Sequence, residues 1–249
     1  MIIAYIMLAW LIWILGVPFL GIVLNATGVL KKEKVAYIPE RAVAGWGVIS
    51  ISAVFFSFIM GSCSPGSDPA YIKEIQDYRA VMNHKYADTN NSPLTKEGLA
   101  HFNGLEFFEI DAKYRIEADF VLNPDPEPFE METTTNRRPI YVKYGEAYFE
   151  LDGQKYMLEI YQSEKAKQMI EFKEHLFLPF KDLTNGNLSY GGGRFLDLKI
   201  PQDETIIIDF NKAYNPYCAY NHKYSCPVPP NINHLDVEIP AGVKAYGDH

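Results

Sequence analysis

The sequence predicts a mainly β, α+β fold: an antiparallel β-sandwich or barrel-like domain with N-terminal helices, preceded by transmembrane or signal segments. Three observations support this prediction. Apolar and polar residues alternate in short stretches such as 114–122, which is typical of half-buried strands. Two aromatic-rich runs meet at Asp152-Gly153, a dipeptide favoured in the type I′ turns of β-hairpins. Residues 2–24 contain no charged side chain, and a stretch of that length can span a bilayer.

Residues 1–62 form a predicted membrane appendage with two apolar segments. The first, at 2–24, is predicted to be a transmembrane segment. The second, at 42–60, is followed by two small residues and Cys63, the order of parts in a lipoprotein-type signal, although Met60 stands where such signals usually have leucine. Two interpretations remain open: a signal that is cleaved before a lipidated Cys63, or a second transmembrane helix at 42–60.

Positive charges in the loop between these segments predict the topology. Basic residues keep such a loop in the cytoplasm, and four of them occur here: Lys31, Lys32, Lys34 and Arg41. Both interpretations therefore place the chain after Cys63 outside the cytoplasm, facing the periplasm or the exterior and anchored to the membrane by the apolar segments or by a lipid. A translation start near Val35 would instead leave a single conventional signal peptide.

A tether at 63–70 is predicted to lead into one extracytoplasmic β-rich domain at 71–246. Asp68 and Pro69 have the residue types of a helix N-cap and first turn. The helix that follows has one apolar stripe, predicted to pack on the domain, which consists of Tyr71, Ile75, Tyr78, Met82 and Tyr86. A second, short helix is predicted at 94–102, with Thr95 as its cap.

The strands are predicted from alternation and from apolar runs bounded by turn residues. They lie at 114–122, in a hairpin over 139–160, and at 175–180, 196–200, 206–210 and 235–239. The strands on either side of residues 201–203 are predicted to pair with each other as a hairpin, with Ile200 opposite Glu204, because this register avoids opposing Asp197 and Asp209.

Composition excludes one class of partner. The formal net charge is −8 and no basic run follows Arg41, so a nucleic acid is not expected to bind. The aromatic fraction of 14% is consistent with a substantial core.

Several motifs along the chain resemble the family described as domain of unknown function 1684, some members of which are lipoproteins. They are SPL at 92–94, FNGLEFFEID at 102–111, YVKYGE at 141–146, LFLPFKDLTNGNLSYGGGRFLDL at 176–198, DFNKAYNPYCAY at 209–220, CPVPP at 226–230 and NHLDVEIPAGVKAY at 233–246. The resemblance covers roughly residues 71–246 and leaves out the membrane appendage. It implies no established activity.

Arg194 is the main candidate for a binding site. The predicted hairpin places it on the apolar face, beside three glycines, and a buried guanidinium must find an anionic or carbonyl partner. Either Arg194 binds an anionic ligand at a pocket mouth that the glycines leave open, or it forms a structural ion pair with Asp182 or Asp209. The candidate ligand-binding residues are Arg194, Asp209, Asn211, Tyr214, Asn215, Gly192 and Gly193.

Cys218 and Cys226 are close enough in sequence to form a disulfide, which an oxidising compartment would favour. Zinc bound by these cysteines together with His222 and His234 is the alternative. The cysteines are spaced more widely than those of common zinc knuckles, so we predict no metal site and no other cofactor.

The sequence indicates a membrane-anchored domain that binds a small polar or anionic molecule near Arg194 and is not an enzyme. No Ser-His-Asp or Cys-His arrangement can be recognised, so no catalytic residue is predicted. An extracytoplasmic enzyme, either a hydrolase or a cofactor-using barrel, and a purely structural envelope protein are the alternatives.

Overall fold

One antiparallel sheet of seven strands dominates the computed structural model, which describes residues 68–247. Two helices precede the sheet, α1 (Pro69–Ala87) and α2 (Lys96–Ala100). The strands are β1 (Arg115–Leu122), β2 (Pro128–Glu130), β3 (Ile140–Leu151), β4 (Gln154–Ser163), β5 (His175–Phe180), β6 (Arg194–Lys199) and β7 (Thr205–Asp209). Six 3₁₀ turns of three residues each lie in the connecting segments of this described part.

The strand order is β6-β5-β4-β3-β1-β7, and the short β2 pairs with the end of β3 that β1 leaves free. The sheet curls into a half-barrel whose inner face carries the main apolar core, and residues 235–241 of the C-terminal segment pack against that core. The predicted antiparallel, mainly β architecture is therefore confirmed, in the form of one curled sheet and not two stacked sheets.

The predictions for the N-terminal part lie outside the described residues. They are the transmembrane segment at 2–24, the signal or second transmembrane helix at 42–60, the lipidation of Cys63, and the tether as far as residue 67. Within residues 68–247, none of the helices combines the length and the apolar composition that crossing a bilayer requires.

Local signals predicted α1 and the central hairpin correctly. The Asp68 side chain accepts a hydrogen bond of 2.9 Å from the backbone N–H of Ala70, with Pro69 in the first turn. At the hairpin, Asp152 and Gly153 have φ values of 53° and 77°, as a type I′ turn requires, and β3 pairs with β4 on either side of them.

The predicted hairpin of β6 with β7 is wrong. β6 pairs with β5, where Arg194 lies opposite Phe180, and β7 pairs with β1, where Ile208 lies opposite Ile116. Alternation correctly predicts which side chains face the core, but it does not determine which strand lies alongside, since any strand with the same alternation satisfies the same face. The predicted strand at 235–239 is also absent, and this segment runs over the core as a loop.

A close approach between β1 and β3 requires glycine at position 145. A register shift in the β3–β4 ladder occurs between Lys143 and Gly145, and Gly145 lies opposite Leu122 of β1. A Cβ atom at this position would lie 2.5 Å from Phe120 Cζ and 2.6 Å from the carbonyl oxygen of Val121. The backbone oxygen cannot move away without disturbing the ladder.

We expect Gly145→Ala to lower the free energy of unfolding by about 1–3 kcal/mol, because the added methyl group overpacks this crossing. Urea denaturation followed by circular dichroism measures the effect. Gly191→Ala is the matched control, since a Cβ there would approach other atoms no closer than 3.6 Å. Equal stability of the two variants would contradict the explanation.

Candidate functional site

Arg194 is buried and does not face a cavity. Its side chain is 0% exposed, and one terminal nitrogen donates to Asp182 Oδ2 at 2.6 Å and to the carbonyl oxygen of Ile239 at 2.8 Å. The other terminal nitrogen donates to the carbonyl oxygen of Ala241. Burial lowers the pKa of Arg194, and the charge of Asp182 opposes that shift. Of the two interpretations, the geometry selects the structural ion pair, with Asp182 as the partner.

The Asp182 carboxylate is equally well bonded. Its Oδ1 accepts hydrogen bonds from the backbone N–H groups of Thr184 at 2.8 Å and Ile239 at 3.2 Å. The pair therefore joins β6, the loop after β5 and the C-terminal segment inside the half-barrel. A buried charge that loses its partner is strongly destabilising.

We expect Asp182→Ala to lower the free energy of unfolding by about 3–5 kcal/mol, because it leaves the Arg194 guanidinium buried without a counter-charge. Urea denaturation measures the loss. Asp203→Ala, which removes an exposed acid, should change stability by less than about 0.5 kcal/mol. A cost below about 1 kcal/mol for Asp182→Ala would argue against an essential pair.

Asp209 and Asn211 also belong to a buried network. Asp209 Oδ1 accepts hydrogen bonds from Tyr71 Oη at 2.9 Å and from the backbone N–H of Asn211 at 3.1 Å. Asn211 Nδ2 donates to the carbonyl oxygen of Asp111 at 2.8 Å, and Asn211 Oδ1 accepts from the N–H of Asp111 at 3.1 Å. These bonds fix the start of α1 to the end of β7, so the two predicted site residues hold the fold together at this point.

The remaining predicted residues are divided between loop structure and a cleft. Asn215 is fully buried and donates from Nδ2 to the carbonyl oxygen of Lys244 at 2.8 Å. A Cβ on Gly192 would collide with the ring of Tyr190, and Gly193 has a φ of 93°. The two glycines therefore permit a tight turn into β6 and do not open a pocket mouth. Tyr214 alone among the predicted set lines the cleft described below.

The predicted disulfide is not observed: Cys218 and Cys226 are free, buried thiols that lie next to each other. The backbone N–H of Cys218 donates to Cys226 Sγ at 3.1 Å. A hydrogen bond from the Cys226 thiol lowers the pKa of Cys218 to about 6, and the same interaction raises the pKa of Cys226. The hydrogen bond between the two thiols thus favours deprotonation at Cys218 over Cys226.

The histidines of the zinc alternative do not join the two thiols in a cluster. His222 is exposed on the loop between the cysteines, and His234 Nε2 lies 3.3 Å from the carbonyl oxygen of Pro229. In the described part of the chain, no group of three or more His, Cys, Asp or Glu side chains is arranged to bind a metal ion.

A cleft of about 530 Å³ lies between α1, the outer face of β5 and β6, and the segment 214–227. Eight of its lining side chains are aromatic: Tyr78, Tyr86, Tyr141, Phe177, Phe195, Tyr214, Tyr217 and Tyr224. Its other lining residues include His175, Asp197, Lys85, Ser225 and Cys226. Most of these residues were not singled out from the sequence as a site.

Strand alternation builds the floor of the cleft. Phe177 of β5 lies directly opposite Asp197 of β6, and both point away from the apolar core that Leu176 and Leu198 enter on the other face. The rings of Phe177 and Phe195 pack edge to face with centroids 4.8 Å apart. The floor therefore consists of packed rings and carries one carboxylate.

Asp197 is held in place from two sides. Its Oδ1 accepts a hydrogen bond from Tyr214 Oη at 2.8 Å and lies 2.9 Å from His175 Nε2. Burial raises the pKa of Tyr214 well above its ordinary value, and the charge of Asp197 raises it further, so the phenol stays a donor. Oδ2 of Asp197 accepts no hydrogen bond from residues 68–247, and 55% of the side chain is exposed.

The walls of the cleft are neutral and rich in π-electrons. Burial raises the pKa of Tyr78 and of Tyr141, which keeps both phenols protonated. Tyr78 Oη donates to the carbonyl oxygen of Lys212 at 3.0 Å, so this hydroxyl is already bonded and the ring forms the wall. At the rim, the Lys85 ammonium lies 5.4 Å from the centre of the Tyr217 ring.

The fold and the cleft together define a class of protein: a half-barrel domain with an aromatic cleft on the outer face of its sheet. The family model described as protein of unknown function (DUF1684) matches residues 100–244, more than half of the chain, and the protein belongs to this family.

A solved relative has the same fold. The chain is 32% identical to an uncharacterised protein of Haloarcula marismortui whose structure was determined in solution by NMR. The match covers 72% of this chain and 97% of that one, with a TM-score of 0.57. No curated protein matches the chain.

Proposed function

We propose that this domain binds a small molecule with an aromatic or other planar apolar body in the cleft between α1 and the sheet. The observation that carries the proposal is a cavity of about 530 Å³ with eight aromatic side chains in its lining. Binding sites for small molecules are concave, mostly apolar and of this size, with a few polar groups that orient the ligand. The site differs from the one predicted at Arg194, because that guanidinium is enclosed and paired with Asp182.

Binding accounts for the cleft better than catalysis does. His175 and Asp197 could serve as a general-base pair, which is the observation that favours a hydrolase as the second candidate. Hydrolysis through a covalent intermediate would also need a nucleophile bonded to that histidine. The serine in the cleft lining is Ser225. Its Oγ is hydrogen-bonded to Thr135 Oγ1 at 2.6 Å and not to His175.

We further propose that the domain works outside the cytoplasm and is attached to the membrane either by its N-terminal apolar segments or by a lipid on Cys63. The support comes from the sequence: an uncharged stretch at 2–24, a basic loop, and a second apolar run that ends just before Cys63. An extracytoplasmic binding domain held at a membrane would meet its ligand as the ligand arrives at or leaves the cell surface.

Filling the mouth of the cleft tests the binding function. Val81 lines the cleft and is 71% exposed, so we expect Val81→Trp to fold normally and to obstruct entry. The probe is 2-phenylethanol, for which we expect a Kd of about 1 mM in the unaltered full-length protein, equivalent to about −4 kcal/mol. Val81→Trp should weaken binding about tenfold, that is by about 1.4 kcal/mol. Saturation-transfer NMR titration of the ligand signals gives both constants.

Ala80→Trp is the matched control for that experiment, because Ala80 is the exposed neighbour on α1 and does not line the cleft. It should bind the probe like the unaltered protein. Equal weakening in the two variants, or no binding of 2-phenylethanol by the unaltered protein, would refute the assignment of the cleft.

The attachment has its own test. In a bacterial host fed with an alkyne-tagged fatty acid, the unaltered protein should be labelled and Cys63→Ala should not, since the lipid is attached through this cysteine. Cys218→Ala controls for non-specific labelling of thiols. Labelling that persists in Cys63→Ala would refute lipidation at this residue. Absence of label from the unaltered protein would also refute it and would favour the second transmembrane helix at 42–60.

A further inference from the structure

The charged side chains on the floor of the cleft disfavour a negatively charged ligand. Three of the lining residues are an acid, a histidine and a lysine: Asp197 on the floor, His175 beside it and Lys85 at the rim. Asp197 contributes a carboxylate whose Oδ2 is free of hydrogen bonds from residues 68–247, while Oδ1 is fixed by Tyr214 and His175. An anionic ligand on the floor would face this carboxylate, so the floor disfavours anions.

The aromatic rings around the Asp197 carboxylate also favour a positively charged ligand. The face of an aromatic ring carries negative electrostatic potential and attracts ammonium groups. The phenols stay neutral, because burial raises the pKa values of Tyr78, Tyr141 and Tyr214. The walls and the floor therefore both favour a ligand that is positively charged and carries apolar groups.

The protein's own ammonium group already uses one of these rings. Lys85 Nζ lies 5.4 Å from the centre of the Tyr217 ring, at the exposed rim of the cleft. Lysine has a flexible stem and its charge is solvated here, so it can swing away when a ligand enters. The floor, where Asp197 lies, has no such ammonium among the described residues that line the cleft.

We propose that the cleft selects organic cations, namely amines whose ammonium group meets the free oxygen of Asp197 and whose apolar body lies among the aromatic rings. This inference rests on the proposed binding function and specifies the chemical class of its ligand. Asp197 is the residue that determines specificity. The rings alone accept neutral aromatic molecules, and the carboxylate adds the attraction between opposite charges, which only a cationic ligand gains.

Three probes of similar size separate the possibilities: 2-phenylethylamine, which is cationic at neutral pH, 2-phenylethanol, which is neutral, and 3-phenylpropionate, which is anionic. We expect the full-length protein, purified in a mild detergent, to bind the amine about tenfold more tightly than the alcohol and the carboxylate most weakly. Asp197→Asn should lose the tenfold preference for the amine and bind the alcohol unchanged. The asparagine keeps the size of the side chain and an oxygen that can accept the Tyr214 hydrogen bond.

Asp203→Asn is the control, since it removes one exposed negative charge outside the cleft and should leave all three affinities unchanged. Because detergent micelles take up phenyl compounds, the differences between variants are the quantities to compare.

If the protein binds none of the probes, both the proposed function and this inference are wrong. If it binds the alcohol as tightly as the amine, or prefers the carboxylate, the binding function stands and the cation preference is refuted. A preference for the amine that survives in Asp197→Asn would refute the role of Asp197.

Discussion

The ion pair between Arg194 and Asp182 is the interaction on which the rest of this structure depends. Both side chains are fully removed from water, so their loss of hydration must be compensated by hydrogen bonds and by each other's charge. The compensation comes from three parts of the chain: β6, the loop after β5, and the carbonyl groups of Ile239 and Ala241. Unless all three parts come together, a charge is left uncompensated, which makes the pair a strong constraint on how the half-barrel closes.

That constraint also determines the outer face of the sheet. Side chains alternate along a strand, so directing Arg194, Leu196 and Leu198 inward directs Phe195 and Asp197 outward. The outward residues form the floor of the cleft, and the segment that follows β7 supplies Tyr214 to bind Asp197. The alternation of side chains along β6 therefore produces both the buried core and the binding surface. The buried ion pair of Arg194 determines which residues of this strand face inward.

The two thiols beside the cleft differ from each other in acidity. Cys218 and Cys226 lie close together in an apolar cluster with Phe177 and Phe195, yet a hydrogen bond from Cys226 lowers the pKa of Cys218 to about 6. Tyr190 Oη lies 3.8 Å from Cys218 Sγ, and this contact also lowers the pKa of Cys218. The prediction of a disulfide rested on the short separation of the two cysteines in sequence. The fold does bring them together, but closeness in sequence does not determine whether a disulfide bond forms.

Much of the fold could be predicted because its signals are local. The N-cap at Asp68 and the turn at Asp152-Gly153 depend on neighbouring backbone groups, and the inward residues of β6 and β7 follow from simple alternation. The pairing of these two strands was predicted wrongly, since hydrophobic periodicity contains no information about which strand is the neighbour. The surroundings of Arg194 could be predicted only in part for a similar reason. An inward side chain with Asp182 or Asp209 as its partner was one of the two interpretations, but the carbonyl groups that it also binds belong to residues 239 and 241, which are distant in sequence.

The sequence by itself determined the mainly β character of the domain, its family resemblance, the caps and turns, and the faces of the strands, because each of these depends on residue type and spacing along the chain. The tertiary structure alone decided what meets on those faces. Asp197 is joined by His175 from the neighbouring strand and by Tyr214 from a later segment, and α1 closes the cleft over them. Such contacts depend on strand order and on the path of loops, which pack by shape and charge over the whole domain and leave no periodic signal in the sequence.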